Sequence, residues 1–274
     1  MPELPEVETV VRALDASLRG RILLGAVSLG KLRLPLDAEA ASRRLGGREI
    51  LRVRRRAKYI LIDFTGKGAL LAHLGMTGRF RIDSAGEPRH KHDRAAFPLL
   101  GGDELRYSDA RRFGFVKLVE LPEPDGFPAE LERLGPEPLS RQFSGRTLLA
   151  GAAGRKTPVK VFIMDQWTVV GVGNIYASEA LHAAGIDPAR PAAALAPDEW
   201  ARLAAEIKAV LRRAIKQGGS TIRDYQTLDG GEGGFQRSLR VYGKAGGICP
   251  RCGGSVKSTR LGGRSTFFCP DCQS

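Results

Sequence analysis

The chain has 274 residues and carries 43 Lys and Arg against 30 Asp and Glu, a net charge of +13. That length allows two or three domains with cores of their own, and the charge favours a polyanionic partner, nucleic acid first, through counterion release. The longest apolar runs, such as 59–64 and 69–74, are strand length and fall short of the ~20 residues that span a bilayer. No basic amphipathic helix points to a membrane surface. Pro2, Glu3, Glu6 and Glu8 stand where a secretory leader would be basic and apolar, so a cytoplasmic protein is expected.

The chain opens Met1-Pro2-Glu3-Leu4-Pro5-Glu6 and continues as a helix. Pro5 suits a first turn, Val7, Val10, Val11, Leu14 and Leu18 recur at helical spacing, and Arg19-Gly20 closes it. Removal of Met1 leaves Pro2 as a secondary amine, and an α-amino group has a reference pKa of about 7.7–8.0. Such an amine is a nucleophile, held here at the positive end of a helix dipole with the Glu3 carboxylate beside it. The plainer reading is a frayed tail whose prolines merely start a helix.

Strands are expected at 22–29, 49–54, 59–64, 69–74, 79–83, 105–108 and 115–120, with a short helix over 37–45. Residues 1–130 therefore read as a mainly β domain carrying helices, a two-layer sandwich. The proline-rich stretch 121–138 marks a boundary, beyond which the apolar period changes from two to 3.6. Helices are expected over 159–166, 175–184 and 198–217, the last opened by Pro197 and ended by Gly218-Gly219. A helical domain is assigned to 135–228. Asp229-Gly230-Gly231-Glu232-Gly233-Gly234 reads as a mobile loop.

All four cysteines lie in the last unit, 235–274, as Cys249-Pro250-Arg251-Cys252 and Cys269-Pro270-Asp271-Cys272. Two C-x-x-C pairs supply four thiolates for one tetrahedral structural zinc ion. Two disulfides are the alternative, and they belong to secreted chains. A closed four-sulfur site leaves no open position for chemistry. It would pin a β-hairpin turning at Leu261-Gly262-Gly263, with Arg264 at the tip.

These motifs together resemble the bacterial formamidopyrimidine-DNA glycosylases along the whole chain. The carriers are Pro2-Glu3-Leu4-Pro5-Glu6-Val7-Glu8-Thr9, Gly171-Val172-Gly173-Asn174-Ile175-Tyr176-Ala177-Ser178-Glu179, and the cysteine unit with Arg264. The resemblance implies an α+β chain with an N-terminal β-sandwich domain, a helix-two-turn-helix domain and a C-terminal zinc finger. It implies a monomer that excises 8-oxoguanine and formamidopyrimidines from damaged double-stranded DNA and then cuts the backbone by β,δ-elimination. Pro2 would attack the sugar C1′ to give a Schiff base, and Glu3 would protonate the ring oxygen. Lys58 matches the lysine assigned to β-elimination and Arg264 the arginine assigned to δ-elimination.

The same resemblance makes His73, His92, Arg155, Lys160 and Asn174 contacts to DNA. It makes Met76, Arg111 and Phe113 the side chains that fill the hole left by an extruded nucleotide, Arg111 also bonding the orphaned base. The segment after Ser220-Thr221-Ile222-Arg223-Asp224-Tyr225 matches a loop that closes over that base. Residue chemistry alone keeps blander readings open. Five of the seven residues from Arg52 to Lys58 are basic, as in a plain phosphate-binding strand, and Met76 and Phe113 suit a core.

Two other functions remain to be weighed. An endonuclease VIII-like glycosylase would prefer oxidised pyrimidines, and the Leu4–Thr9 continuation and the Arg111-Arg112-Phe113 run point away from it. A non-catalytic zinc-ribbon binder of damaged DNA would leave Pro2, Glu3, Lys58 and Arg264 idle. A two-metal nuclease lacks its carboxylate cluster.

Overall fold

The computed structural model describes residues 1–123, 125–221 and 230–274. The chain is an α+β protein whose residues fall into two compact units. One comprises Met1–Glu132 with Gly218–Gly234, and the other Arg133–Gln217 with Phe235–Ser274.

The first unit begins with α1 (Leu4–Leu18), whose buried face carries Leu4, Val7, Val10, Val11, Leu14 and Leu18. Two antiparallel four-stranded sheets follow. One orders β2 (Ile50–Arg56), β3 (Tyr59–Phe64), β4 (Gly68–His73) and β8 (Phe115–Glu120) as neighbours. The other runs β1 (Val27–Ser28), β6 (Asp93–Pro98), β7 (Asp103–Ser108) and β5 (Arg79–Ser84). Side chains of α1 and of both sheets share one core, from Val7 and Leu14 through Ile60, Ile62 and Leu70 to Phe97, Leu105 and Tyr107. The helix α2 (Ala38–Leu45) is capped by Asp37, whose carboxylate accepts from Ala40 N–H at 2.8 Å.

The segment 22–29 departs from its expected strand, because it crosses between the sheets. Ile22 bridges to Glu49 beside β2, while Leu23 bridges to Leu99 and Val27 pairs with Ala96 of the other sheet. Regular ladder is therefore confined to two residues. The strand β6 goes beyond the expected set, since Asp93, Arg94 and Pro98 hide its apolar centre, Ala95–Phe97. A single turn, α3 (Ala129–Glu132), ends the first stretch of this unit.

The second unit contains α4 (Gly145–Ala152), α5 (Val159–Met164), α6 (Asn174–Ala184), α7 (Pro197–Lys216) and the hairpin of β9 (Lys257–Leu261) and β10 (Arg264–Phe268). The start of α7 is set by Pro197 at its first turn and by the Glu199 carboxylate, which accepts from Ala196 N–H at 2.9 Å. Its buried stripe runs from Trp200 through Leu203, Ile207 and Leu211 to Ala214. Helix α6 ends in a left-handed Gly185, φ 70°. Among the described residues no helix is long and apolar enough to cross a membrane.

Candidate active site and metal centre

Met1 precedes Pro2 here, so the Pro2 nitrogen is an amide standing in for the secondary amine that removal of Met1 would create. Pro2 is buried and Glu3, the N-cap of α1, is only 4 % exposed. What holds them is Glu6, itself buried. Its carboxylate accepts from Glu3 N–H at 2.8 Å and, with its other oxygen, from Ser220 N–H at 2.7 Å. One acid thus fixes the reactive end to the start of the segment that follows Gly219. Residues 222–229 of that segment, where the base-covering loop is expected, lie outside the described residues.

Lys58 follows Ala57 in the tight turn joining β2 to β3, where Ala57 adopts the left-handed conformation, φ 56°. A non-glycine residue there costs of order 1–2 kcal/mol and needs surrounding contacts to hold it. Arg55 supplies one, donating to Ala57 O at 3.0 Å and to the Glu8 carboxylate on α1 at 2.9 Å. Much of the basic run is engaged inside the protein. Arg52 and Arg54 converge on the buried Asp63 at 2.8 and 2.6 Å, and Arg52 also meets Asp125 at 2.8 Å. A row of phosphate contacts along this strand is therefore not what these side chains make.

His73 ends β4, paired in register with Tyr59 on one side and Phe115 on the other. Burial first, then the positive charges of Lys58, Arg33 and the chain N-terminus, push its pKa down to about 4. The lysine, the N-terminus and His73 therefore share one locale. Its Nδ1 accepts from Gly75 N–H at 3.0 Å, which leaves the proton on Nε2.

Met76 and the Arg111–Phe113 run are brought together by a close approach of two loops. A Cβ at Gly75 would stand 2.5 Å from Gly114 N, and one at Gly114 would overlap the Tyr107 hydroxyl and the His73 carbonyl. The loops are then stitched by Asp109, which accepts from Thr77 Oγ1 at 2.5 Å and from Gly114 N–H at 2.8 Å. Arg112 is left-handed, φ 58°, and turns its neighbours outward. Phe113 is 47 % exposed with Arg111 stacked over its ring at 4.8 Å, and Met76 is half-buried. Phe113 is no core residue. His92 sits half-buried just before β6, in the loop reaching back to His90.

In the second unit, Asn174 is the first residue of α6, after Gly173 at the N-cap. Lys160 on α5 is fully buried and donates to Asn174 Oδ1 at 2.6 Å, Thr266 Oγ1 at 2.8 Å and Ser265 O at 3.1 Å. Its charge thus orients the Asn174 amide, whose Nδ2 donates to Ser265 O at 2.9 Å. The hairpin turn rests on α5, where a Cβ at Gly262 would come within 2.9 Å of the Val161 side chain. A cavity of about 350 Å³ opens there, lined in part by Arg155, Thr157, Phe162, Leu261 and Arg264. Arg155, expected as a DNA contact, and Arg264, expected in δ-elimination, therefore line one hollow.

Cys249, Cys252, Cys269 and Cys272 place their sulfurs within 4.8 Å of one another. The Cys249–Cys272 and Cys252–Cys269 separations are 3.8 and 3.5 Å. Four thiolates at about 2.3 Å from a tetrahedral zinc would be about 3.8 Å apart, so these residues fit the ion. Burial raises the Cys249 thiol, but the His182 ring and two backbone N–H groups outweigh it and bring it down to about 6.

Two residues with a part here were not singled out by sequence reasoning, although both lie inside the motifs quoted above. Glu6 and Glu179 are acids on buried helix faces. Glu179 accepts from the backbone N–H groups of Arg240, Val241 and Tyr242, each at 2.9 Å, and so moors the chain that leads into the hairpin. An acid on an otherwise apolar face is the further clue each offered.

Comparison with known proteins gives three matched families in chain order. Residues 1–116 match the formamidopyrimidine-DNA glycosylase N-terminal domain, 134–226 the H2TH domain of the same enzymes, and 248–274 the zinc finger found in FPG and IleRS. The chain is 50 % identical to the formamidopyrimidine-DNA glycosylase of Laribacter hongkongensis and 47 % identical to that of Magnetococcus marinus, covering 100 % of this chain in both and 100 % and 99 % of the relatives. Among solved structures, a Lactococcus lactis Fpg variant in complex with Fapy-dG-containing DNA matches with a TM-score of 0.89 at 32 % identity, covering 100 % of both chains. The wild-type L. lactis protein with an oxidised-pyrimidine DNA matches at 0.88 and 31 %, again covering 100 % of both chains.

Proposed function

The chain belongs to the formamidopyrimidine-DNA glycosylase family, and from that premise we propose that Pro2, freed of Met1, is the nucleophile of a base-excision repair glycosylase and AP lyase acting on oxidised purines in duplex DNA. The observation that carries this reading is the crowding of one locale. Glu3 adjoins Pro2 under the grip of Glu6, and Lys58 precedes Tyr59, the ladder partner of His73, whose pKa the charges of Lys58 and of the Met1 amine next to Pro2 both lower.

In this reading the Pro2 nitrogen lone pair attacks C1′, the bond from C1′ to the damaged base breaks, and the proton left on the nitrogen neutralises the departing base. Glu3 gives a proton to the ring oxygen as the sugar opens, leaving an iminium ion. The iminium acidifies C2′–H, whose loss forms the C2′–C3′ double bond and expels the 3′-phosphate, with Lys58 taking the proton-donor role of that elimination. Arg264 serves the second elimination from the hairpin tip. Met76, Arg111 and Phe113 fill the vacated stack, and Arg111 bonds the orphaned base. Phosphates are held by His73, His92, Arg155 and Asn174, the last oriented by Lys160.

Cys249, Cys252, Cys269 and Cys272 would hold one zinc ion, which supplies a fixed hairpin and no step of the reaction. The working divisions are 1–130 for catalysis, 135–228 for helix-two-turn-helix DNA binding and 235–274 for the zinc finger. The protein acts as a cytoplasmic monomer.

The test is borohydride trapping of the Met1-processed protein on a duplex with 8-oxoguanine opposite cytosine, followed by peptide mapping. The adduct is expected on Pro2, and Pro2→Gly should lose most trapping and base release. An adduct mapped to another residue, or none despite tight binding and a verified proline terminus, would sink the assignment. The L. lactis complex with an oxidised pyrimidine supports a second, broader reading in which pyrimidine lesions are also taken. Release of thymine glycol measured against 8-oxoguanine separates the two.

A further inference from the structure

Helix α6 ends against the four cysteines, and His182 in its last turn is fully buried there. Its Nε2 lies 3.2 Å from Cys249 Sγ. Its Nδ1 is buried with no hydrogen-bond partner among the described residues. A zinc-bound cysteine is a thiolate and can only accept. With the proton on Nε2, the short contact becomes an N–H···S⁻ hydrogen bond and Nδ1 is merely an unused acceptor. With the proton on Nδ1, two lone pairs would face each other at the sulfur and a donor would be buried unpaired, which costs about 1–3 kcal/mol.

We propose that His182 is an outer-sphere ligand of the zinc centre, donating Nε2–H to the Cys249 thiolate and so fixing the C-terminal end of α6 to the metal knuckle. The proposal rests on the reading of the cysteines as zinc ligands. Four thiolates around one Zn²⁺ leave an excess of negative charge, and a buried donor on one sulfur relieves part of it. The same helix end is tied to the knuckle elsewhere. Arg251 donates to His182 O at 3.2 Å, and Ser274 N–H to Gly185 O at 3.2 Å. At the opposite end of α6, Asn174 donates to Ser265 O on β10. One helix is thereby clamped to the finger at both ends, with His182 the positioning residue at the metal end.

The experiment uses the zinc-loaded full chain, with zinc content measured first. His182→Phe should release zinc at about 10- to 100-fold lower concentration of a competing chelator than wild type, the usual loss of metal affinity for such a partner. His182→Gln, whose terminal amide can still donate, should stay near wild type. In the cobalt-substituted proteins the thiolate-to-metal charge-transfer band should shift in the Phe variant and not in the Gln variant. The long-range ¹H–¹⁵N spectrum of the wild-type holoprotein needs no variant, and it should show His182 as the Nε2–H tautomer. One zinc per chain with an Nδ1–H tautomer, or with unchanged release from His182→Phe, overturns the proposal alone. A wild-type chain that holds no zinc overturns the metal assignment and the proposal together.

Discussion

At His73 burial decides the charge, and the charge decides what a phosphate would meet. With its pKa near 4 and Nδ1 occupied by Gly75 N–H, the ring is a neutral Nε2–H donor at physiological pH. A neutral donor releases no counterion. His73→Gln should therefore weaken DNA binding with no change in the slope of log K against log salt, whereas Arg155→Gln should reduce that slope by about 1. A smaller slope in His73→Gln would mean that the imidazole binds DNA as a cation. The same depressed pKa has a consequence for stability. The unfolded chain takes up a proton near pH 6.5 and the folded chain only near pH 4, so stability falls as the pH drops through that window. Urea midpoints between pH 7 and 4 should decline less steeply for His73→Gln, whose amide oxygen can still accept from Gly75. An equal decline would assign the acid sensitivity to other groups.

Helix α1 carries the reactive terminus and the β2–β3 turn carries Lys58, and Arg55 is the strut between them. Its side chain is 10 % exposed and that of its partner Glu8 19 %, so the pair is largely shielded from solvent. Glu8 is held below the ordinary carboxylate range because its ion pairs with Arg55 and Arg12 outweigh the burial that would raise it. Removing Arg55 leaves Glu8 to the exposed Arg12 and takes away its shielded partner. Arg55→Gln is expected to slow strand cleavage on an abasic duplex about tenfold, roughly 1.4 kcal/mol at the transition state, while base release falls less. The double swap Glu8→Arg with Arg55→Glu should recover part of the loss, and its failure to do so would remove the strut from the argument. This pair also marks what the sequence could tell. The helix α1 and strands β3 and β4 were legible because their apolar periods are local. Arg52, Arg54 and Arg55 looked like phosphate contacts because their carboxylate partners, Asp63, Asp125 and Glu8, lie elsewhere in the chain. Residue chemistry left Met76 and Phe113 open to a core reading, because Asp109, which stitches their two loops together, is distant from Met76 and Thr77 in the chain.

Across the whole molecule, ion pairs such as those of Arg81 and Arg106 with Asp83, Asp93 and Glu104 inside the first unit cancel charge of both signs, so the net charge of +13 survives them and rests on the remaining Lys and Arg. What the sequence made clearest at this scale was the metal centre, because both ligand pairs are contiguous. Its mechanical reach was not legible, for it depends on Lys160, Asn174 and His182 meeting the hairpin in three dimensions. The finger's own apolar core is small. Its own buried cluster is Val241, Cys249, Val256 and Cys269, with Phe267 and Cys272 packed against it, far too small a core to fold unaided. Zinc binding is then folding free energy for this part of the chain. Both tryptophans, Trp167 and Trp200, belong to the second unit, so their emission follows that unit alone. Chelation of the metal, or Cys252→Ser, should lower the thermal midpoint seen by tryptophan emission by several degrees and weaken DNA binding at least tenfold, about 1.4 kcal/mol. A calorimetric transition belonging to the first unit, whose core contains none of the finger, should hold its temperature. If metal removal instead shifts a single transition for the whole chain, the two units do not unfold independently, and the zinc supports the nucleophile's unit as well as the finger.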